Sequence, residues 1–294
     1  MTESYPIIVS ASRSTDIPAF YAKWFVNRLA AGYAVWYNPF NQQPMKISFE
    51  KTKVVVFWTK NPAPLIPYLH ELDERGIHYY FQFTLNDYEV ENFEPNVPAL
   101  EERVETFKRL SALIGKERVI WRFDPIIMTS RLQPRDILKK VWKIGNLIKG
   151  CTEKLVFSFV DVKSYRKVQN NLIKDTDSFT RETIDMAEPN DEQIREIVEG
   201  LAKLREHWKH EEGWDLALAT CAEKIDLEEY KESMKGIYST SVGTGTIDES
   251  PMAYKDPKEI VKLIEDTVEV EYFIRPVINL KATNSYDSSV EIDM

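Results

Sequence analysis

The sequence predicts an α/β protein: a TIM-like parallel (βα) barrel, read as incomplete, followed by a small α+β C-terminal tail. Three observations predict it. Strand-like and helix-like segments alternate repeatedly along the chain, the pattern of βα units. The strand-like segments are continuous apolar runs, as parallel strands covered on both faces require. No glycine-rich turn follows the first strand, which favours a barrel over a dinucleotide-binding sheet. An open doubly wound sheet is the alternative.

The elements follow in order. Tyr5 to Ala11 reads as the first strand, with a helix near Pro18 to Ala31. An aromatic extended stretch, Tyr33 to Tyr37, ends in Asn38-Pro39. Lys53 to Thr59 is the second strand, with Pro64 to Arg75 as its helix. His78 to Thr84 is the third, followed by a helix near Pro98 to Ile114 with Leu100, Val104, Phe107, Leu110 and Ile114 on one face. Arg118 to Phe123 is the fourth, and its helix, Pro134 to Ile148, buries Leu138, Val141, Trp142 and Ile148. Lys154 to Val160 is the fifth. After a polar stretch, Ile194, Ile197, Val198, Leu201, Leu204 and Trp208 mark another amphipathic helix. Trp214 to Thr220 is the sixth strand, and the tail adds a helix at Pro257 to Asp266 and a strand at Val268 to Ile274.

Charge places a boundary near residue 226. From Asp226 to Met294 there are 15 acidic and 7 basic residues, while the first 225 residues carry 32 and 31. A nearly neutral body, residues 1–226, is thus joined to an acidic segment, 227–294. No basic stripe predicts nucleic-acid binding. No apolar run approaches the ~20 residues of a membrane helix, and the N-terminus lacks the basic and apolar regions of a signal peptide. The expectation is a cytoplasmic protein without a membrane partner; the oligomeric state is not readable. Only two cysteines, Cys151 and Cys221, are present. That excludes a disulfide framework, a four-cysteine zinc site and a three-thiolate iron–sulfur site within these residues.

In a parallel barrel the chemistry sits at the carboxyl ends of the strands. The polar residues there are Ser12 to Asp16, then Thr59, Lys60 and Asn61, then Thr84, Asn86 and Asp87, then Arg122 and Asp124, then Ser158 and Asp161, then Thr220, Cys221 and Glu223. Thr15 or Asp16 can cap the first helix, with Pro18 in its first turn. That N-terminus with Arg13 would make an anion site; a capped loop bearing a surface arginine is the alternative. Arg122 lies inside an apolar strand, opposite in facing to Trp121 and Phe123, and Asp124 shares its side. A buried charge needs a partner, so the two are read as a pair facing substrate or serving structure. Lys60 can bind a carboxylate or phosphate, or be an ordinary solvated lysine. The candidate substrate-binding residues are therefore Ser12, Arg13, Asp16, Lys60 and Arg122, and the candidate acids or bases are Asp124, Asp161 and Glu223. Asn38-Pro39 and Asn61-Pro62 read as turn chemistry. His207-x-x-His210 sits among Lys209, Glu211 and Glu212 and reads as a solvated face, so no metal site is expected. Cys221 ends a strand without a visible histidine partner, Cys151 reads as a boundary residue, and Val242-Gly-Thr-Gly245 lacks the context of a phosphate loop.

Several long runs carry a resemblance. They are Ser10-Ala-Ser-Arg-Ser-Thr-Asp-Ile-Pro-Ala-Phe-Tyr21, Asn38-Pro-Phe-Asn41, Val56-Phe-Trp-Thr-Lys-Asn-Pro-Ala-Pro64 and Tyr80-Phe-Gln-Phe-Thr-Leu85. Further runs are Glu94-Pro-Asn-Val-Pro98, Glu117-Arg-Val-Ile-Trp-Arg-Phe-Asp-Pro125, Ser158-Phe-Val-Asp161 and Cys221-Ala-Glu223. Over roughly residues 5–226 the chain resembles DUF1848, a bacterial family of unknown function related to radical S-adenosylmethionine barrels. That resemblance implies a C-terminal Cys-x-x-x-Cys-x-x-Cys motif holding a four-iron cluster that binds S-adenosylmethionine, and this sequence lacks the motif. S-adenosylmethionine stays a candidate ligand; the cluster is not expected.

Residues 229–284 resemble instead the C-terminal tail of RtcB-type RNA ligases. The runs are Met234-Lys-Gly-Ile-Tyr-Ser-Thr-Ser-Val242, Ile247-Asp-Glu-Ser-Pro-Met-Ala-Tyr-Lys-Asp256, and Val268-Glu-Val through Arg275-Pro-Val-Ile-Asn-Leu-Lys-Ala282. This resemblance implies that Tyr254 and Lys281 belong to a nucleotide pocket, but residues 229–284 contain neither His nor Cys. The tail is read as a small separate or edge-docked unit without ligase activity, or as cover for an edge of the barrel.

Four functions are compatible with these residues: a radical-enzyme-like barrel without its cluster, a module that binds an anionic small molecule, a hydrolase or transferase using strand-end carboxylates, and RNA handling through the tail. The first generates a prediction. Anaerobic reconstitution of the 294-residue chain with iron and sulfide is expected to yield no stoichiometric iron and no broad charge-transfer absorbance.

Overall fold

The computed structural model describes residues 2–11, 15–38 and 41–221, with Cys221, residues 237–240 and residues 278–280 given as backbone only. Its strands are β1 (Thr2–Ser4), β2 (Ile8–Ala11), β3 (Tyr33–Tyr37), β4 (Pro44–Ser48), β5 (Val54–Thr59), β6 (His78–Thr84), β7 (Val119–Ile126), β8 (Lys154–Phe159), β9 (Ala217–Cys221), β10 (Ile237–Thr240) and β11 (Ile278–Leu280). Its helices are α1 (Ile17–Phe20), α2 (Ala22–Ala31), α3 (His70–Asp73), α4 (Leu100–Ile114), α5 (Pro134–Leu147), α6 (Arg166–Asp175) and α7 (Asp191–Glu212).

Strands β2, β5, β6, β7, β8 and β9 pair in sequence order, every pair parallel, with helices alternating between them. Short strands extend both edges: β10 runs parallel to β9, and β11 runs parallel to β2. Both extensions come from beyond residue 226. Apart from this sheet, β1, β4 and β3 form a three-stranded one, with β3 antiparallel and β1 parallel to β4.

The apolar runs form strands because they are bulky and β-branched or aromatic, as in Val54-Val-Val-Phe57, and both faces are covered. Alternate side chains then separate into two environments. Val9, Val55, Phe57, Phe81, Trp121, Phe123, Leu155, Phe157 and Leu218 enter one continuous core with Phe25, Phe107, Val141 and Leu201 from the helices. Phe57 lies 5.3 Å from the ring of Phe25 and 5.0 Å from that of Phe81. Burying each such ring stabilises the fold by roughly 1.5–3 kcal/mol. The opposite face of the sheet carries Ser10, Val54, Val56, Trp58, Tyr80, Gln82, Ile120, Arg122, Val156 and Ala219, of which Val54, Val56, Ile120, Val156 and Ala219 form small buried apolar groups.

The helix boundaries follow local chemistry. Asp16 caps α1 by accepting from the Ala19 N–H at 3.0 Å. Gln133 with Asp136 and Asn190 with Gln193 form capping boxes on α5 and α7. The elements not singled out from the sequence are β1, β4, β10, β11 and α6, which buries only Leu172. The segment 64–75 yields only a short 3-10 turn and the one-turn α3, because Pro64 and Pro67 interrupt it. The expected tail helix and the strand at 268–274 lie outside the described residues. Among the described residues, no helix is long and apolar enough to cross a membrane.

Helices α5 and α7 meet at a close approach. Trp208 stacks on Trp142 with ring centroids 5.7 Å apart and donates its indole N–H to Asn146 Oδ1 at 3.0 Å. A Cβ on Gly145 would lie 2.3 Å from the buried Trp208 ring. Gly145→Ala is therefore expected to destabilise the protein by about 1–3 kcal/mol despite alanine's better helix propensity, read as a lower midpoint in urea unfolding.

Candidate functional site

Four strand-end segments converge on the sheet's carboxyl side. Arg122, on β7, points away from the helix-covered core and is only 3% exposed. Its Nε donates to Asp124 Oδ2 at 2.8 Å, its Nη2 makes a second bond to the same oxygen, and its Nη1 donates to Gln82 Oε1 at 3.2 Å. The guanidinium carbon lies over the Trp58 ring, 4.4 Å from its centroid. Asp124 Oδ1 accepts from the Thr84 hydroxyl at 3.2 Å. The Asp124–Pro125 peptide is cis, and the β7–β8 register shifts between Phe123 and Ile126.

Asn86, just past β6, links this pair to a second one. Its amide Nδ2 donates to the Asp124 carbonyl at 2.8 Å and to Glu94 Oε1 at 3.2 Å. Glu94 Oε1 also bonds Lys60 Nζ, while Glu94 Oε2 stands 3.8 Å from Arg103 Nη1. Arg103, on α4, is 1% exposed. Its Nε donates to the Pro98 carbonyl at 2.9 Å and its Nη2 to the Asn86 carbonyl at 3.0 Å. Burial pushes its pKa down, against the pull of the Glu94 carboxylate.

The loop between β6 and α4 is fastened from several sides. Lys143 Nζ reaches Asp87 at 2.9 Å, Lys140 Nζ reaches Glu91 at 3.1 Å, and Glu89 accepts from the Leu100 N–H at 2.6 Å. The fully buried Tyr88 donates its hydroxyl to the Pro125 carbonyl at 3.0 Å, and burial raises its pKa well above the usual phenol value. This loop thus holds Glu94 and Asn86 beside the end of β7.

The expected residues are placed as follows. Asp16 Oδ2 accepts from the Lys60 N–H at 2.7 Å, so both its oxygens hold backbone, one on α1 and one at the end of β5. Burial raises its pKa, and the bonds from Lys60, Thr59 and Ala19 oppose that rise. The structure thereby brings Asp16, Lys60, Arg122 and Asp124 into one chain of contacts through Glu94 and Asn86. Asp161 is exposed and accepts from the Ser164 N–H at 2.7 Å, within its own turn. Ser12, Arg13, Glu223, Tyr254 and Lys281 lie outside the described residues. Glu94, Arg103, Gln82 and Trp58 were not singled out from sequence. Arg103 had a readable signal: it interrupts the apolar face formed by Leu100, Val104 and Phe107. Gln82 likewise stands alone inside an aromatic strand.

The donor set does not fit the cluster that the radical-enzyme resemblance implies. The chain has two cysteines. Cys151 precedes β8 and Cys221 ends its parallel neighbour β9, so the two stand at opposite ends of the sheet. Among the described residues no group of three or more His, Cys, Asp or Glu is arranged to hold a metal ion.

Fold and site together define an α/β protein with a parallel sheet and a buried ionic cluster at the carboxyl ends of its strands. The model of one family, "Domain of unknown function (DUF1848)", matches residues 8–258, and the chain belongs to that family. The match continues past residue 226, where charge placed a boundary. No curated protein matches the chain. Among solved structures, the crystal structure of a rubisco-like protein from Burkholderia fungorum is similar over 91% of this chain and 63% of that one, at 10% identity and a TM-score of 0.28, too distant a likeness to carry an argument.

Lys154, on the same sheet face at the start of β8, gives a pH prediction. Burial pushes its pKa down to about 8 from the usual 10.5. Below pH 8 it is protonated in both folded and unfolded chains, and the burial cost is complete. Between 8 and 10.5 the unfolded chain holds the proton and the folded chain does not, so this contribution makes stability rise with pH. Relative to Lys154→Met, the wild type should gain stability across that window, by up to about 3 kcal/mol, measured by urea unfolding at a series of pH values.

Proposed function

We propose that the sheet curls into a TIM-like barrel whose mouth, at the carboxyl ends of the strands, binds an anionic small molecule. The strand order supports the barrel. An open sheet growing in sequence would put β11 beside β10, whereas β11 pairs with β2, the first strand of the series. All the core-forming helices pack on one face, as unbroken right-handed crossovers in sequence order require. The face they leave uncovered is then the inside of the barrel, where side chains fill the space.

The observation that carries the functional reading is Arg122, buried with Asp124 on that inner face. Burying an ion pair gains little stability over apolar residues of the same size. A guanidinium backed by Trp58 and aimed by Asp124 and Gln82 is suited to a planar, bidentate contact with a carboxylate or phosphate. Lys60 at the end of β5 adds a point charge close by. A net charge of −9 argues against nucleic acid as the partner. A second reading, a hydrolase or transferase using Asp124 as acid or base, is favoured by one observation: its side chain is 14% exposed against 3% for Arg122, so the carboxylate faces the mouth. The nucleotide pocket that the tail's resemblance implies is the reason for including nucleotides among the ligands to test.

Calorimetric titration with sugar phosphates, nucleotides, dicarboxylates and S-adenosylmethionine tests the reading. At least one anion should bind the wild type. Arg122→Met should weaken it about tenfold to a hundredfold, the loss of a charged hydrogen bond. The double variant Arg122→Met with Asp124→Leu removes both charges and should stay folded while binding remains lost. Unchanged affinity in both variants would place the site elsewhere.

A further inference from the structure

We propose that Glu94 is a displaceable counter-ion, shared between Lys60 and Arg103, and that the anionic group of the ligand docks on Lys60 by pushing Glu94 onto Arg103. The inference rests on the anion-binding reading above and assigns Lys60 as the anion's receptor and Glu94 as its internal competitor.

The geometry carries it. Glu94 has one carboxylate oxygen committed and one idle. Oε1 takes Lys60 and Asn86. Oε2 is buried without a hydrogen-bond partner among the described residues, and so is Arg103 Nη1, 3.8 Å away. A charge-assisted bond forms at about 2.7–2.9 Å, so a shift of about 1 Å would join them. Two unpartnered buried charged atoms are costly, and joining them relieves both. The two cations differ in a way that sets the direction of the exchange. Lys60 is 37% exposed at the mouth, on a flexible stem, whereas Arg103 is 1% exposed and fastened to two backbone carbonyls. Arg103 stays in place and Lys60 is accessible from outside. An incoming anion can therefore take over Lys60 while the bond that Glu94 loses is replaced inside the protein. A neutral ligand has no means of displacing Glu94, which makes the compact anionic group the recognised feature.

Titration with inorganic phosphate and pyrophosphate, on the full chain, tests this. Glu94→Gln removes the competing charge and should bind pyrophosphate at least tenfold more tightly than the wild type; Lys60→Met should abolish that gain. In the wild type, the NMR signals of the Arg103 guanidinium should shift on saturation, a readout that needs no substitution and no buried variant to fold. If the wild type binds an anion in an Arg122-dependent way while Glu94→Gln gains nothing, or the Arg103 signals stay put at saturation, the exchange is refuted and the anion-binding reading stands. If neither wild type nor Glu94→Gln binds any anion, both fall together.

Discussion

The arrangement depends on one constraint: a parallel sheet whose crossovers all lie on one side leaves its other side without a partner. Phe57, Phe81, Trp121 and Phe157 and the helices behind them account for the apolar core on the covered side. The uncovered side has only small apolar groups and then, toward the strand ends, polar residues. A flat sheet with such a face would expose Trp58 and Tyr80 beside Arg122. In the proposed barrel, curling the sheet would turn that face inward, shield the aromatic rings and leave the polar ends gathered at one opening.

Burying charges at that opening requires each to be matched. Among the described residues the cluster holds three cations, Lys60, Arg103 and Arg122, and three carboxylates, Asp16, Glu94 and Asp124. The matching is uneven. Arg122 and Asp124 are joined by two bonds and further held by Gln82 and Thr84. Asp16 is tied to backbone and organises the ends of β5 and α1. Glu94 is the one carboxylate placed between two cations with an oxygen left over. Rigidity at Arg122 and slack at Glu94 are different properties of the same network, and a binding site needs both: a fixed group that orients, and a group that yields.

The sequence made the main sheet legible because its strands are buried on both faces and read as apolar runs. The observed strands lie within one residue of those read at 53–59, 78–84 and 154–160. It was less informative where tertiary context decides. β4 and α6 have little apolar content of their own, and α3 shrinks to one turn between prolines. At the site, Arg122 and Asp124 were legible because a charge inside an apolar strand demands a partner two residues away on the same side. Glu94 was not, because nothing in a loop sequence marks which of Asp87, Glu89, Glu91 and Glu94 will be drawn inward. The other three are held by Lys143, the α4 N-terminus and Lys140 at the loop's flank. Only Glu94 meets the strand ends, and that follows from how the loop is fastened. The Glu-Pro-Asn triplet, present at 94–96 and again at 188–190, shows the same limit. Its second copy ends in Asn190, which caps α7, while its first copy supplies Glu94.

A neutral cluster has a consequence for selectivity. Where cations line a pocket without counter-ions, any anion gains by entering, and discrimination is weak. Here each cation already has an internal carboxylate, so an anion gains only what remains after it has replaced that carboxylate. Displacing Asp124 from Arg122 would leave a partly buried aspartate without its two bonds, a cost the ligand must meet. Displacing Glu94 from Lys60 leaves it beside Arg103, and the cost is largely returned. On the proposed anion-binding reading, the network would direct an incoming anion to Lys60 first and keep Arg122 for a group that can bond the guanidinium while Asp124 stays in place. A ligand with a compact anion at one end and a hydrogen-bonding group a few ångströms away meets both conditions, whereas an inorganic anion meets only the first.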